Sequence, residues 1–294
     1  MILAQVRANK NIERIKSIMN FAREIWKLTK NFALIARGRQ GDLFFVYLRL
    51  EFKYLFLVKL LKRPLKSERL LGWTIKFFDY TTFLYMFEEV FIGQEYFFET
   101  TEASPLIIDG GSNIGMSIFY FKKLWPNCQI ISFEPDRQTF AVLADNVKTN
   151  KLTGITLHNL ALADKPGSLN FYSDQEQPGS LIASTTPRHP GQNYETVQSA
   201  TLSEKVTGPV DFLKLDIEGA ETEVIGELAQ TKKIKLLKNI CLEYHHHIKR
   251  DEDRLSEILT ILEKNGFGYQ LSTVAKPPMK KRKFQDILIY AYSK

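Results

Sequence analysis

Acidic residues close four apolar stretches of this 294-residue chain, and each such junction could do chemistry. In the first, Ile107-Ile108-Asp109-Gly110-Gly111-Ser112-Asn113-Ile114-Gly115 runs an apolar segment into a glycine turn and then a helical pattern. Gly110 and Gly111 remove Cβ where a ligand must approach backbone, and Gly115 lets a helix pack closely. No G-x-G-x-x-G passes through the turn, and Asp109 stands directly before the glycines, so the spacing suits a cationic ligand group better than a dinucleotide. In the second, an apolar segment ends in Glu134-Pro135-Asp136, with Glu134 placed 25 residues after Asp109. A carboxylate at that strand end can accept both hydroxyls of a ribose, or simply cap the next helix.

The third junction, Phe212-Leu213-Lys214-Leu215-Asp216-Ile217-Glu218-Gly219-Ala220-Glu221, sets three carboxylates at and beyond a strand end. In an open parallel sheet that is where ligands bind. Glu221 also reads as a first-turn residue favoured by a helix dipole. The fourth, Ile240-Cys241-Leu242-Glu243-Tyr244-His245-His246-His247, gathers three of the five histidines, and alternation puts Glu243, His245 and His247 on one side. A solvated histidine run is the plain alternative.

These junctions need a sheet to bring them together. Short apolar runs at 106–109, 129–134, 155–162, 210–216 and 239–243 have the continuous character of parallel strands covered on both faces. Helical patterns at 115–124, 137–150 and 220–228 supply crossovers. The alternating segments 268–274 and 285–292, joined by the basic loop 276–283, predict a C-terminal antiparallel hairpin.

Before residue 100 the pattern differs. Residues 1–70 carry 16 Lys and Arg against 5 Asp and Glu, a net +11, so the rest of the +7 chain stands at −4. Ile12, Ile15, Met19, Ala22 and Trp26 recur at helical spacing among basic residues. The apolar run 43–61 is interrupted by Arg49, Glu51, Lys53 and Lys59, each costing roughly 2.5–3.5 kcal/mol inside a bilayer, so it is not expected to span one. A helix lying on a membrane surface or packed on protein is expected instead. We therefore divide the chain into a basic helical extension (1–70), an aromatic-rich cap (71–99) and a body (100–294). A basic head on an acidic body argues against nucleic acid as partner. Two cysteines exclude a disulfide framework and point to a reducing, cytoplasmic setting.

From about residue 89 onward the chain resembles the FkbM family of S-adenosylmethionine-dependent methyltransferases. The resemblance rests on IIDGGSNIG, SFEPD, NLALAD (159–164), LKLDIEGAE and LEYHH, in the family's order. It implies an α/β, class I Rossmann-like fold with a mostly parallel sheet. It also implies that Asp109, Gly110, Gly111, Asn113 and Gly115 surround the methionine moiety, that Glu134 holds the ribose, and that Ala161 and Asp164 lie near the adenine. Asp216, Glu218 and Glu243 would face the reaction, with His245 or Glu243 as base. O-methylation of a sugar, glycolipid or polyketide-like acceptor follows from the same resemblance. The competing reading is an inactive Rossmann-like peripheral membrane or interaction protein.

Asp216, Glu243 and His245 offer oxygen and imidazole ligands, yet no metal is expected. The family's usual acid before LKLDIEGAE is replaced here by Ser203. The polar segment 174–193 reads equally as a substrate lid or a passive loop.

Overall fold

The computed structural model describes residues 25–38, 40–172, 193–246, 253–273 and 285–294. In chain order, helices α1 (25–37) and α2 (Gly41–Lys53) are followed by a π-helical turn (Tyr54–Leu60). The hairpin β1 (Ser67–Leu70) and β2 (Trp73–Lys76), helix α3 (Tyr80–Phe87) and a second π-helical turn (Glu88–Ile92) come next. Then β3 (Leu106–Gly110), α4 (Met116–Leu124), β4 (Gln129–Phe133), α5 (Arg137–Thr149) and β5 (Ile155–His158) alternate as the apolar runs predict. They lead into the short strands β6 (Ala161–Leu162), β7 (Gly167–Phe171) and β8 (Glu195–Ala200). The chain continues through β9 (Val210–Leu215), α6 (Glu221–Gln230), β10 (Leu237–His246), α7 (Leu255–Lys264), β11 (Phe267–Ser272) and β12 (Gln285–Ser293).

Seven strands form the main sheet in the order β11-β12-β10-β9-β3-β4-β5. β5, β4, β3, β9 and β10 run parallel, whereas β12 is antiparallel to both of its neighbours. The expected C-terminal hairpin is present, and its second strand is inserted between β10 and β11. The order reverses on either side of β3, so the crevice between the ends of β3 and β9 is the topological switch point where such sheets bind ligands. Ile108, Leu213, Leu215, Ile240 and Leu242 are buried along these strands, with Val224 and Leu228 of α6 and Ile258 and Leu262 of α7 in the same core.

One expected strand is corrected. Residues 155–162 form two strands, β5 in the main sheet and β6 in a separate three-stranded sheet ordered β6-β8-β7. The break falls at Asn159, whose side-chain amide donates to the carbonyls of Glu134 and Pro135 and so turns the chain away from the sheet.

The chain forms two compact units, Met1–Pro64 with Leu84–Glu95, and Leu65–Phe83 with Tyr96–Lys294. The stretch 71–99, read from the sequence as one cap, is divided between them. In the larger unit, hairpin β1–β2 is fastened to α5 by two asparagines. Asn146 pairs with both the N–H and the carbonyl of Lys76, and Asn150 does the same with Thr74. In the smaller unit, α2 buries Leu43, Tyr47, Leu50 and Glu51. Among the described residues no helix is long and apolar enough to cross a membrane. The expected helix through Ile12, Ile15, Met19 and Ala22, the basic loop 276–283, and almost all of 174–193 lie outside the described residues.

Candidate functional site

The glycine turn is built from backbone outward. Gly111 has φ +78°, and a Cβ there would lie 1.8 Å from the carbonyl oxygen of Asp216. Gly115 has φ +94°, with Leu143 of α5 2.8 Å from its notional Cβ. Both glycines are therefore demanded by the protein's own packing as well as by their backbone conformation. The N–H groups of Gly111 and Ser112 both donate to the Phe133 carbonyl at 3.0 Å, fixing the turn over the end of β4. Asn113 sits in the left-handed region at φ 49°, rare for a residue with a side chain.

Glu134 closes this turn from the other side. Its two carboxylate oxygens accept from the N–H groups of Asn113 and Asp136, each at 2.9 Å. Burial pushes its carboxyl up to about 8, against those two hydrogen bonds. Each oxygen retains a further lone pair for a ligand hydroxyl.

Beneath the turn lies a residue that the sequence reading passed over. Lys214 of β9 is buried, and its ammonium donates to the carbonyls of Gly111 (2.6 Å) and Gly110 (3.3 Å). It stands 3.5 Å from both Asp109 Oδ1 and Asp216 Oδ2, and 5.3 Å from the Tyr96 ring centre. Burial would lower its pKa, yet Asp216, Asp109, Glu243 and Glu134 together raise it, so it is a cation. Asp109 is fully buried and accepts a hydrogen bond from Ser117 Oγ at 2.6 Å. It therefore anchors the turn from below. A signal for Lys214 exists in the sequence: a lysine inside an otherwise apolar strand must find buried acids.

At the neighbouring strand end, His245 of β10 gathers three carboxylates. Its Nδ1 lies 3.0 Å from Glu221, and its Nε2 lies 3.2 Å from Glu218 and 3.9 Å from Asp216. Burial would lower its pKa, but Glu221, Glu218 and Asp216 raise it well above the ordinary value. The imidazole is thus set among carboxylates that favour its charged form and orient its ring. Glu221 in turn accepts from the N–H of Gly219 and of Ile217, holding a loop in which Glu218 takes φ 56°. Such backbone strain accompanies functional loops. Asp216, Glu218 and His245 place one ligand atom each within 4.8 Å of one another, as do Glu243, His245 and Asp286, so both trios have the spacing of a divalent-cation site.

The structure thus brings Asp109, Gly110, Gly111, Asn113, Gly115, Glu134, Asp216, Glu218, Glu243 and His245 to adjoining ends of β3, β4, β9 and β10. Ala161 is buried in β6, whereas Asp164 is exposed beyond it. Ser203, in place of the family acid, has its N–H donated to Glu227. His247 lies outside the described residues.

The methyltransferase FkbM domain matches residues 109–269, more than half of the chain and nearly all of the strand ends just described. "Methyltransferase 1" of Beauveria bassiana is 26% identical over 205 residues, covering 63% of this chain and 80% of that protein. "Methyltransferase sdnD" of Sordaria araneosa is 25% identical over 193 residues, covering 54% of this chain and 73% of that one. "2-O-methyltransferase NoeI" of Sinorhizobium fredii is 26% identical over 142 residues, covering 42% and 56%. Among solved structures, an FkbM methyltransferase from Methylobacillus flagellatus aligns at 18% identity with a TM-score of 0.43, over 66% of this chain and 45% of its own. Matched across its glycine turn, acidic strand ends and histidine strand, the chain belongs to the FkbM methyltransferase family and is a methyltransferase dependent on S-adenosylmethionine.

Proposed function

We propose that the chain transfers a methyl group to a hydroxyl of a small-molecule or glycan acceptor such as a sugar, a glycolipid or a polyketide-like compound. One observation carries the reading. Six carboxyl groups, Asp109, Glu134, Asp216, Glu218, Glu221 and Glu243, surround a single ammonium and a single imidazole at the switch point. A surplus of acid there suits a cationic sulfonium and repels the pyrophosphate of a dinucleotide. The Gly111 to Asn113 turn would hold the methionine end, Glu134 the ribose hydroxyls, and the Ala161 to Asp164 segment the adenine.

When bound, the cofactor supplies an electrophilic methyl group. The chain's own residues align the acceptor and receive its proton, contributions on the order of 7–11 kcal/mol and 10²–10⁴ in rate. The acceptor's proton would go to His245 or Glu243, with Asp216 and Glu218 beside the imidazole to orient it. The name of the NoeI relative supports oxygen as the acceptor atom. The net −4 of residues 71–294 supports a small acceptor over nucleic acid.

Thermal shift and a labelled-methyl assay test the reading. S-adenosylmethionine and S-adenosylhomocysteine should raise the melting temperature while NAD does not. Mass spectrometry and NMR of the product from a panel of sugars and glycolipids should place the methyl on oxygen. Methylation on nitrogen or carbon, or preferential stabilisation by NAD, overturns it. Turnover should survive a chelator; its loss and recovery with a divalent ion would recast Asp216, Glu218 and His245 as metal ligands.

A further inference from the structure

The smaller unit contains a helix that is apolar on two sides, one buried and one exposed. On α2, positions 43, 47, 50, 51 and 54 fall on one side of a 3.6-residue helix and are buried. Positions 45, 48, 52 and 56 fall on the opposite side. Phe45 is 74% exposed, Leu48 48%, Phe52 64% and Phe56 42%, and the stripe continues through Leu60 and Leu61. Trp26 on α1 is 64% exposed. Phe52 and Phe56 stack on each other with ring centres 5.6 Å apart, so the stripe is organised within itself.

The buried side packs Leu43 and Leu50 around a polar network. The Tyr47 hydroxyl lies 3.0 Å from Glu51 and 3.1 Å from Glu88 and shares its one proton between them, Asn31 donates to Tyr47, and Lys27 pairs with Glu88 at 2.8 Å and Glu51 at 3.5 Å. This network pins the rotation of α2: turning the helix to hide its phenylalanines would strip three charged groups of their partners. The exposed stripe is therefore a fixed feature in search of a cover, larger than the scattered apolar residues of ordinary surfaces.

We propose that this face lies in the interface of an anionic lipid bilayer. Charge decides among occupants. Arg49 and Lys53 fall one step around α2 from the stripe, and Lys59, Lys62 and Arg63 follow along it. Among the described residues of 25–64 the acidic ones are Asp42 and the buried Glu51. A second copy packed isologously on the same stripe would bring these cations against each other. Anionic headgroups neutralise them while the acyl boundary receives phenylalanine, leucine and tryptophan, the arrangement of a helix lying in the membrane plane. The proposal is independent of methyl transfer, and it would concentrate the enzyme on lipid-borne hydroxyls.

The test is co-sedimentation of the full chain with phosphatidylcholine vesicles, with and without one quarter phosphatidylglycerol. Partitioning should be at least tenfold stronger on the anionic vesicles and weaken steeply between 0.05 and 0.5 M salt, about fivefold being contributed by each Lys or Arg at the surface. A Phe45→Ser/Phe52→Ser variant should lose vesicle binding, and a Lys62→Glu/Arg63→Glu variant should bind anionic vesicles at least tenfold more weakly with a shallower salt dependence. Both should keep the thermal shift produced by S-adenosylmethionine, which separates this result from failure of the methyltransferase reading. Absence of vesicle binding by the unmodified chain, or binding indifferent to salt and headgroup, overturns the proposal. So does a stable dimer by light scattering that the Phe45→Ser/Phe52→Ser variant dissolves.

Discussion

The larger and the smaller unit each set a lysine among buried acids, and they do so to different ends. Lys214 is 3% exposed and answers to Asp109, Asp216, Glu243 and Glu134, with the carbonyls of a glycine turn completing its shell. Lys27 is 32% exposed and answers to Glu51 and Glu88, with Tyr47 and Asn31 closing the circuit. The first cluster has more acid than base and opens through Asp216, whose side chain is 27% exposed. The second joins one partly exposed cation to two buried acids beneath a face that carries exposed apolar side chains and cations. Surplus buried charge beside an opening marks a place for a ligand of opposite sign, whereas a closed circuit marks a scaffold.

Substitutions at the two lysines should break the symmetry most. Lys214→Met leaves Asp109 buried without its cation and frees the turn, which should cost roughly 3–5 kcal/mol in denaturant unfolding, the range for one partner removed from a buried pair. Lys27→Met, a third exposed but the partner of the buried Glu51 and Glu88, should cost less, roughly 1–3 kcal/mol. Equal losses at the two sites would mean that the clusters do not differ as described.

Within the larger cluster, Glu218→Gln and His245→Gln should lower kcat by ~10²–10⁴ with little change in cofactor affinity, measured by steady-state kinetics beside calorimetry. Wild-type kcat in both would make the histidine strand a packing element only.

Glu134 gives a smaller effect with a definite sign. Its carboxyl is raised to about 8 by burial, and only the ionised form accepts from two ribose hydroxyls without a donor of its own, so cofactor affinity should rise from pH 6 to pH 9. Glu134→Gln should weaken binding by roughly 1.5–3 kcal/mol at pH 9 and flatten the profile, a change that calorimetry resolves. The stability of the free protein should show the reverse slope. A raised carboxyl contributes fully below about pH 4.5, and that contribution is lost as pH climbs through 8.

Glu88, raised to about 7 chiefly by burial and eased by Lys27, should act the same way and least of all. The part of the pH-dependent stability lost between about pH 4.5 and 7 should shrink in Glu88→Gln, while cofactor affinity stays unchanged. Any effect on affinity would tie the two clusters together.

The strands that carry the site were readable because a parallel strand covered on both faces must be apolar throughout, as Ile107-Ile108 and Leu213 with Leu215 are. β7 and β8 escaped because their small sheet leaves Ser168, Asn170, Thr196 and Gln198 exposed, and alternating polar residues in short pieces look like loop. Helix α7 has the spacing of Leu255, Ile258, Leu259 and Leu262 but was overshadowed by the histidine run just before it. Asp109 and Glu134 were recognised as chemistry, yet their partners were not, since Lys214 and the N–H of Asn113 reach them only after folding. The exposed face of α2 was half legible: the charges within 43–61 predict a helix on a membrane or packed on protein, but periodicity is silent on whether the side of Phe45, Leu48 and Phe52 is covered.

The insertion of β12 between β10 and β11 sets an order in time. β3 cannot gain its β9 neighbour until about a hundred further residues exist, and β10 keeps an open edge until residues 285–293 have been made and threaded back against it. For that interval the strand bearing Glu243 and His245 offers unpaired N–H and carbonyl groups to any passing chain. Translation that stalls late would therefore release a protein whose cofactor turn is assembled and whose reactive edge is sticky. Premature termination should accordingly give aggregation more readily than simple loss of activity.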